Sequence, residues 1–228
     1  MIKRKAILIA NTHELLGSAI DIEKIKNFLE SDRGGQWRGN EIQSLVNPRK
    51  SILQNALQIA RSEGNDFVIV HFSGHGGQAV NSVTLELNES KETIQSFELF
   101  GIAPRQVSIF DCCRGIERVS VEAAYDSISE SRSDIRSRYE ARIMIAAPQQ
   151  LKLYACSKGE FAEESEEGGY YSHSLFQAAI DSPEKYCAFN TAHASAAENV
   201  RRMTKQKQNP EIISGRHLGS QNIIISLR

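Results

Sequence analysis

Three short, almost uninterrupted apolar runs constrain this chain most: KAILIA (Lys5–Ala10), FVIVHFS (Phe67–Ser73) and QVSIFD (Gln106–Asp111). A strand with one wet face alternates apolar and polar residues. A strand apolar at both parities must be covered on both sides. Ile42–Val46, Leu151–Cys156 and Asn222–Leu227 read as further strands, and Val83–Leu87 as a minor hairpin arm. Between them lie stretches of helical period. Ile22, Ile25, Phe28 and Leu29 mark a helix over Asp21–Ser31, and Ser51 is placed to cap another running to about Ser62. Ser172–Asp181 and Thr191–Lys207 complete the helices. Strands alternating with helices predict an α/β fold, a mostly parallel sheet with helices on both faces. With no internal repeat and no linker, residues 1–228 read as a single domain.

Charge and cysteine usage exclude several classes. Lys and Arg number 27 against 28 Asp and Glu, a formal net charge of -1, which argues against a general nucleic-acid binder. No apolar run approaches the ~18 residues of a membrane span. The apolar run near the N-terminus is too short for a signal-peptide core, so a cytoplasmic protein is expected. The four cysteines, at 112, 113, 156 and 187, have no CxxC spacing, which disfavours zinc and fits free thiols.

Two loops follow buried strands directly and carry reactive side chains. His75 lies in Ser73–Gln78, flanked by Gly74, Gly76 and Gly77, which permit unusual backbone angles and close approach of a substrate. Cys113 lies in Asp111–Gly115. A thiol and an imidazole on neighbouring strand ends are the makings of a nucleophile and its base. The backbone N–H groups of Gly76 and Cys113 are candidates for an oxyanion hole. Alternation along an extended chain turns Cys112 and Cys113 opposite ways, so one of them should enter the core. His71, inside a strand, reads as a core or interface histidine. His13, His173, His193 and His217 lack partner spacing and read as surface residues.

These residues carry a resemblance. F-S-G-H-G after one apolar strand and D-C-C-R-G after the next are similar to the motifs of the caspase-like cysteine peptidases: caspases, metacaspases and paracaspases. AILIAN near the start, Leu16-Gly17 through Asp21, the stretch from Leu153 past Ala162 to a Gly-Gly and Ser174-Leu175, and Gln208-Asn209-Pro210 resemble further family segments. The resemblance implies a caspase-like fold with a sheet of about six strands, and a cysteine endopeptidase with Cys113 as nucleophile and His75 as base. It places Asp111 where caspases, which accept aspartate, have Gln. Metacaspases and paracaspases have Asp there and cleave after Arg or Lys. Asp21, which opens a helical pattern and by itself reads equally as a helix cap, then matches a second acidic pocket residue, and Glu163 or Glu164 a third. A buried carboxylate repels a substrate aspartate and pairs with a guanidinium or ammonium.

By the same resemblance, the segment Gly115–Arg142, which has no clean period and reads as a mobile loop or weak helix, corresponds to the linker that caspases cut on activation. Arg132, Arg136 and Arg138 are its self-cleavage candidates. No cofactor is implied beyond the calcium that some metacaspases need, for which Glu163–Glu167 is the one acidic cluster to consider. Expected partners are a protein substrate with an exposed Arg or Lys and an activating partner or ligand, with no nucleic acid and no membrane; the chain itself would be a monomer or homodimer. Regulated cell death or defence follows by analogy alone. The competing reading is a catalytically silent scaffold or regulatory pseudoprotease, against which both reactive residues speak.

Overall fold

A computed structural model describes residues 2–15, 17–115, 134–165 and 167–228. Strands β1 (Arg4–Ala10), β2 (Ile42–Val46) and β3 (Phe67–Ser73) are followed by a meander of β4 (Gly76–Gln78), β5 (Val83–Glu86) and β6 (Thr93–Gln95). Next come β7 (Arg105–Asp111), β8 (Gln149–Tyr154), the short β9 (Glu164–Ser165) and β10 (Gly168–Gly169), β11 (Tyr186–Ala188), β12 (Glu211–Ile213) and β13 (Ile224–Leu227). The helices are α1 (Gly17–Glu30), α2 (Lys50–Ser62), α3 (Asp134–Ile145), α4 (Tyr170–Asp181) and α5 (Phe189–Met203). None of the described helices is long and apolar enough to cross a membrane.

The main sheet has six strands in the order β12-β8-β7-β3-β1-β2. Five are parallel and β12 runs antiparallel along the β8 edge. Strand parity assigns its two faces. Ala6, Leu8, Phe67, Ile69, Val107 and Ile109 pack toward α1, α3, α4 and α5. Ile7, Ile9, Val68, Val70, Phe72 and Phe110 pack toward α2 and the β4–β6 meander. This double burial is why the runs carry apolar residues at both parities.

Local departures from the sequence reading have physical causes. The sixth strand of the main sheet is Glu211–Ile213, three residues long and half-exposed, too short to show a period. The predicted strand at 222–227 forms as β13, but pairs with β11 outside the main sheet. Ser51 does not cap α2: the helix starts at Lys50, whose N–H donates to the Glu92 carboxylate at 2.9 Å. The predicted helix 191–207 ends at Met203, and positive φ at Lys205 and Gln206 turns the chain away. His193 is buried rather than on the surface, its Nδ1 2.7 Å from the Tyr171 hydroxyl.

The segment Gly115–Arg142, which the sequence leaves open between a mobile loop and a weak helix, is helical in its last third, the first part of α3. Arg136 is buried there: its guanidinium is forked onto Glu41 at 2.6 and 2.8 Å, donates to the Gln36 carbonyl at 3.0 Å and lies 2.7 Å from Glu140. Arg138 sits one turn into the same helix and donates to the Arg228 carbonyl. Of the self-cleavage candidates, Arg136 and Arg138 thus lie within a helix rather than an extended segment. Arg132 lies outside the described residues. Arg4 completes the cluster by stacking on Trp37 and donating to the carbonyls of Gly35 and Gln36. Arg136→Ala would leave Glu41 and Glu140 with Arg4, at 3.4 and 4.0 Å, as their remaining cationic partner in a largely dry site. The expected loss is ~3–5 kcal/mol of unfolding free energy, read by urea denaturation.

Candidate active site

Along the chain, β1 crosses to β2 on one side and the strand after that, β3, lies on the other, so the sheet order reverses at β1/β3. In open α/β sheets this is where the strand carboxyl ends leave a crevice. An open cavity of about 250 Å³ lies there, and His75, Gly76, Asp111, Cys113, Glu163 and Glu164 are among the residues lining it. Five separate chain segments converge on it.

Strand β7 carries the nucleophile candidate. Its alternation resolves the cysteine pair: both border the cavity, but Cys112 is 2% exposed and belongs to the core cluster of Phe110 and Val70, while Cys113 is half-buried. The Cys113 thiol donates to the Ala162 carbonyl at 3.6 Å. Burial pushes its pKa above the ordinary thiol value; the Ala162 contact opposes this, and the Asp111 and Glu164 carboxylates add to it. The resting thiol is therefore protonated and needs a base. The loop after it is clamped by Arg114, which is buried, donates to Gln78, the Cys156 carbonyl and Glu211, and stacks on Tyr154.

The base candidate comes from β3. Gly74, with φ +154, makes the turn, and a Cβ there would meet Asn11 Cβ at 2.8 Å. His75 follows, its Nε2 2.8 Å from the His13 carbonyl in the β1–α1 loop. A carbonyl only accepts, so Nε2 carries the proton, and in the neutral ring Nδ1 is left as the basic nitrogen. The His13 loop is itself braced: Asn11 Oδ1 accepts from the His13 N–H, and Asn47 Oδ1 from the Thr12 N–H.

Two backbone donors are available beside these groups. Gly76 faces Leu85 across the β4–β5 ladder, and Glu86 N–H donates to the His75 carbonyl. That makes Gly76–Leu85 a non-hydrogen-bonded pair, so Gly76 N–H points away from β5. The Cys112 carbonyl accepts from the Cys156 thiol at 3.5 Å, which turns the trans-related Cys113 N–H to the opposite side.

Asp111 and Asp21 are 5% and 2% exposed. Asp111 Oδ2 accepts from the Ser172 N–H at 2.7 Å, and Asp21 accepts from the Ser73 hydroxyl at 2.7 Å and from the Gly169 N–H at 3.1 and 3.2 Å. Asp21 is thus no helix cap: it lies inside α1, one layer behind the cavity wall formed by Ser73 and Gly169. A side chain at 169 would overlap the Asp111 carboxylate, and one at 168 that of Asp21, so two adjacent glycines make room for two acids. Among the described residues neither carboxylate is in an ion pair with Lys or Arg. Burial raises both pKa values, and the Asp111 charge raises that of Asp21 further. Behind them His71 is fully buried, its Nε2 2.9 Å from the Ser172 hydroxyl, and burial lowers its pKa to about 3.

Glu164 is half-buried in β9, its Oε2 2.6 Å from where a Cβ on Gly17 would sit; Glu163 is exposed, with its N–H held by Gln208. Glu167 pairs with Lys24 and His173, and among the described residues no group of three or more His, Cys, Asp or Glu could hold a metal ion. Ser73, Gly169 and Ser172 were not singled out from the sequence. They act through backbone or hydroxyl contacts to distant acids, and no local pattern marks such a role.

A sequence profile of the caspase domain matches residues 3–218. The chain belongs to the caspase domain family. Solved structures agree on the fold. Caspase-1 from Spodoptera frugiperda superposes with a TM-score of 0.62 at 13% identity, over 93% of this chain and 87% of that one. A Geobacter sulfurreducens protein superposes with a TM-score of 0.61 at 13% identity, over 99% of this chain and 97% of its own. No curated protein sequence matches significantly. The caspase domain family is one of cysteine peptidases, and its substrates are proteins.

Proposed function

We propose that this caspase-family chain is an active endopeptidase that cleaves after Arg, and less well after Lys, with Cys113 as nucleophile and His75 as general base. The observation that carries the specificity is the Asp111–Asp21 pair: two buried carboxylates beside the nucleophile with no basic side chain paired to them among the described residues. Buried charge calls for a counter-charge. A substrate guanidinium supplies it and, being a planar fork, can bond a carboxylate with two N–H groups; an ammonium cannot. A substrate aspartate would add a further like charge to a pocket that already lacks a cation among the described residues.

In the reaction His75 Nδ1 takes the Cys113 proton as the thiolate attacks the carbonyl carbon. The Gly76 and Cys113 N–H groups receive the developing oxyanion, and the imidazolium, steadied by the His13 carbonyl, returns the proton to the leaving amine. The acyl-enzyme is then hydrolysed by the same base acting on water. These pocket acids favour the basic-residue specificity that the resemblance to metacaspases and paracaspases implies over the aspartate specificity of caspases. Fluorogenic tetrapeptides differing only in the residue before the cut test this. The expected order is Arg above Lys, with Asp and Gln at background. Efficient cleavage after Asp overturns it, and no cleavage of any peptide favours a silent scaffold.

A further inference from the structure

The two pocket acids share one small space. Gly169 donates its N–H to Asp21, and its Cα faces the Asp111 carboxylate so closely that a Cβ would overlap it. Ser73, whose hydroxyl bonds Asp21, is the register partner of Asp111 across β3 and β7. Two carboxylates this close and this dry cannot both ionise without a counter-charge; one proton belongs to the pair rather than to either residue. We propose that the empty pocket holds one proton on the Asp21–Asp111 pair, and that entry of a basic side chain expels it to solvent. On binding, one carboxyl O–H breaks, the proton leaves with buffer or water, and the substrate cation takes its place as the counter-charge. The proposal rests on the basic-residue specificity above and adds a linkage: substrate affinity and pH are coupled through the pocket, separately from the catalytic pair.

The titratable groups around the pair come from every neighbouring element. They are Glu164 on β9 with Glu163 before it, Cys112 and Cys113 after β7, Cys156 after β8, Tyr171 on α4, His75 after β3 across the same cavity, and His71 on β3, which reaches Asp111 through Ser172. None of these is a fixed positive charge. The N-terminal amides of α4, Gly169 and Ser172, stabilise charge on both acids, and burial outweighs them, raising both pKa values.

The test is calorimetric and uses the full chain with Cys113→Ala, which removes the thiol proton and turnover. An acetylated tetrapeptide amide ending in arginine is titrated in phosphate and in Tris, beside its citrulline counterpart, a neutral isostere. The buffer dependence of the heat is expected to give about one proton released per arginine peptide. Affinity should rise tenfold per pH unit below the titration of the pair and then level off, and the citrulline peptide should bind at least tenfold more weakly. Adding Asp21→Asn, which leaves Asp111 to meet the cation, should abolish the release while arginine binding persists; if that variant does not fold, the pH slope of Kd in the Cys113→Ala chain carries the test. Arginine binding with no buffer dependence and a flat pH profile overturns the proposal and leaves the specificity standing, as does release unchanged by Asp21→Asn. Equal binding of both peptides overturns the specificity itself, and the proposal with it.

Discussion

Cys113→Ala is expected to reduce peptide hydrolysis by roughly 10⁴-fold or more, and Cys112→Ala to leave it within a few-fold of the native rate. Removing a nucleophile leaves only binding and oxyanion stabilisation, and losses of that order follow in comparable hydrolases. The contrast between neighbours rests on strand alternation. Cys112 is packed against the core and its thiol is held far above the ordinary value, first by burial and then by Cys156, Cys113 and Asp111, with Arg114 opposing. It therefore offers neither access nor thiolate. Its loss should appear as stability, about 1 kcal/mol, comparable to deleting a buried methyl group. Steady-state rates with an arginine peptide, urea denaturation curves, and labelling of the native chain by an iodoacetamide probe separate the two roles. Activity lost in Cys112→Ala and kept in Cys113→Ala would shift the assignment by one residue.

What the sequence reveals and what it hides follow from the range of the interactions involved. Three of the parallel strands, β1, β3 and β7, were legible because each is buried on both faces, which leaves a run such as FVIVHFS with no polar parity. The cavity position was legible because reactive residues followed those runs within four positions. Short edge and accessory strands were not, since three residues such as Glu211–Ile213 contain no period. Helix α3 stays undecided between loop and weak helix in the sequence for a different reason: its buried face mixes Tyr139 and Ile143 with Arg136 and Glu140, which pair with each other while Arg136 also pairs with Glu41, so the apolar period is interrupted. The acid pair was half-legible. Asp111 stood beside the nucleophile, whereas Asp21 opened a helical pattern and could have been a cap; only its bonds to Ser73 and Gly169, 52 and 148 residues away, decide between the two.

Asp111→Asn should separate what this pocket does for catalysis from what it does to stability. Asp111 lines the cavity directly, so the native enzyme loses one partner of a desolvated ion pair with the substrate arginine. The expected decrease in kcat/KM is ~2–5 kcal/mol, roughly thirty- to several-thousand-fold. The stability effect has the opposite sign. Both acids have folded-state pKa values above the unfolded ones, so the folded chain binds protons that the unfolded chain has already lost. That stabilisation is complete below the ordinary carboxylate pKa and is lost as pH rises through the raised values of the pair. The new amide keeps an oxygen to accept the Ser172 N–H and removes the like charge. The variant should therefore melt close to the native protein in acid and progressively higher than it as pH rises toward 8. Thermal denaturation across that range, beside kcat/KM on an arginine peptide, reads both effects. A variant that is less active and also less stable at every pH by a constant amount would mean that Asp111 is a structural cap on α4 rather than a charge held ready for a cation.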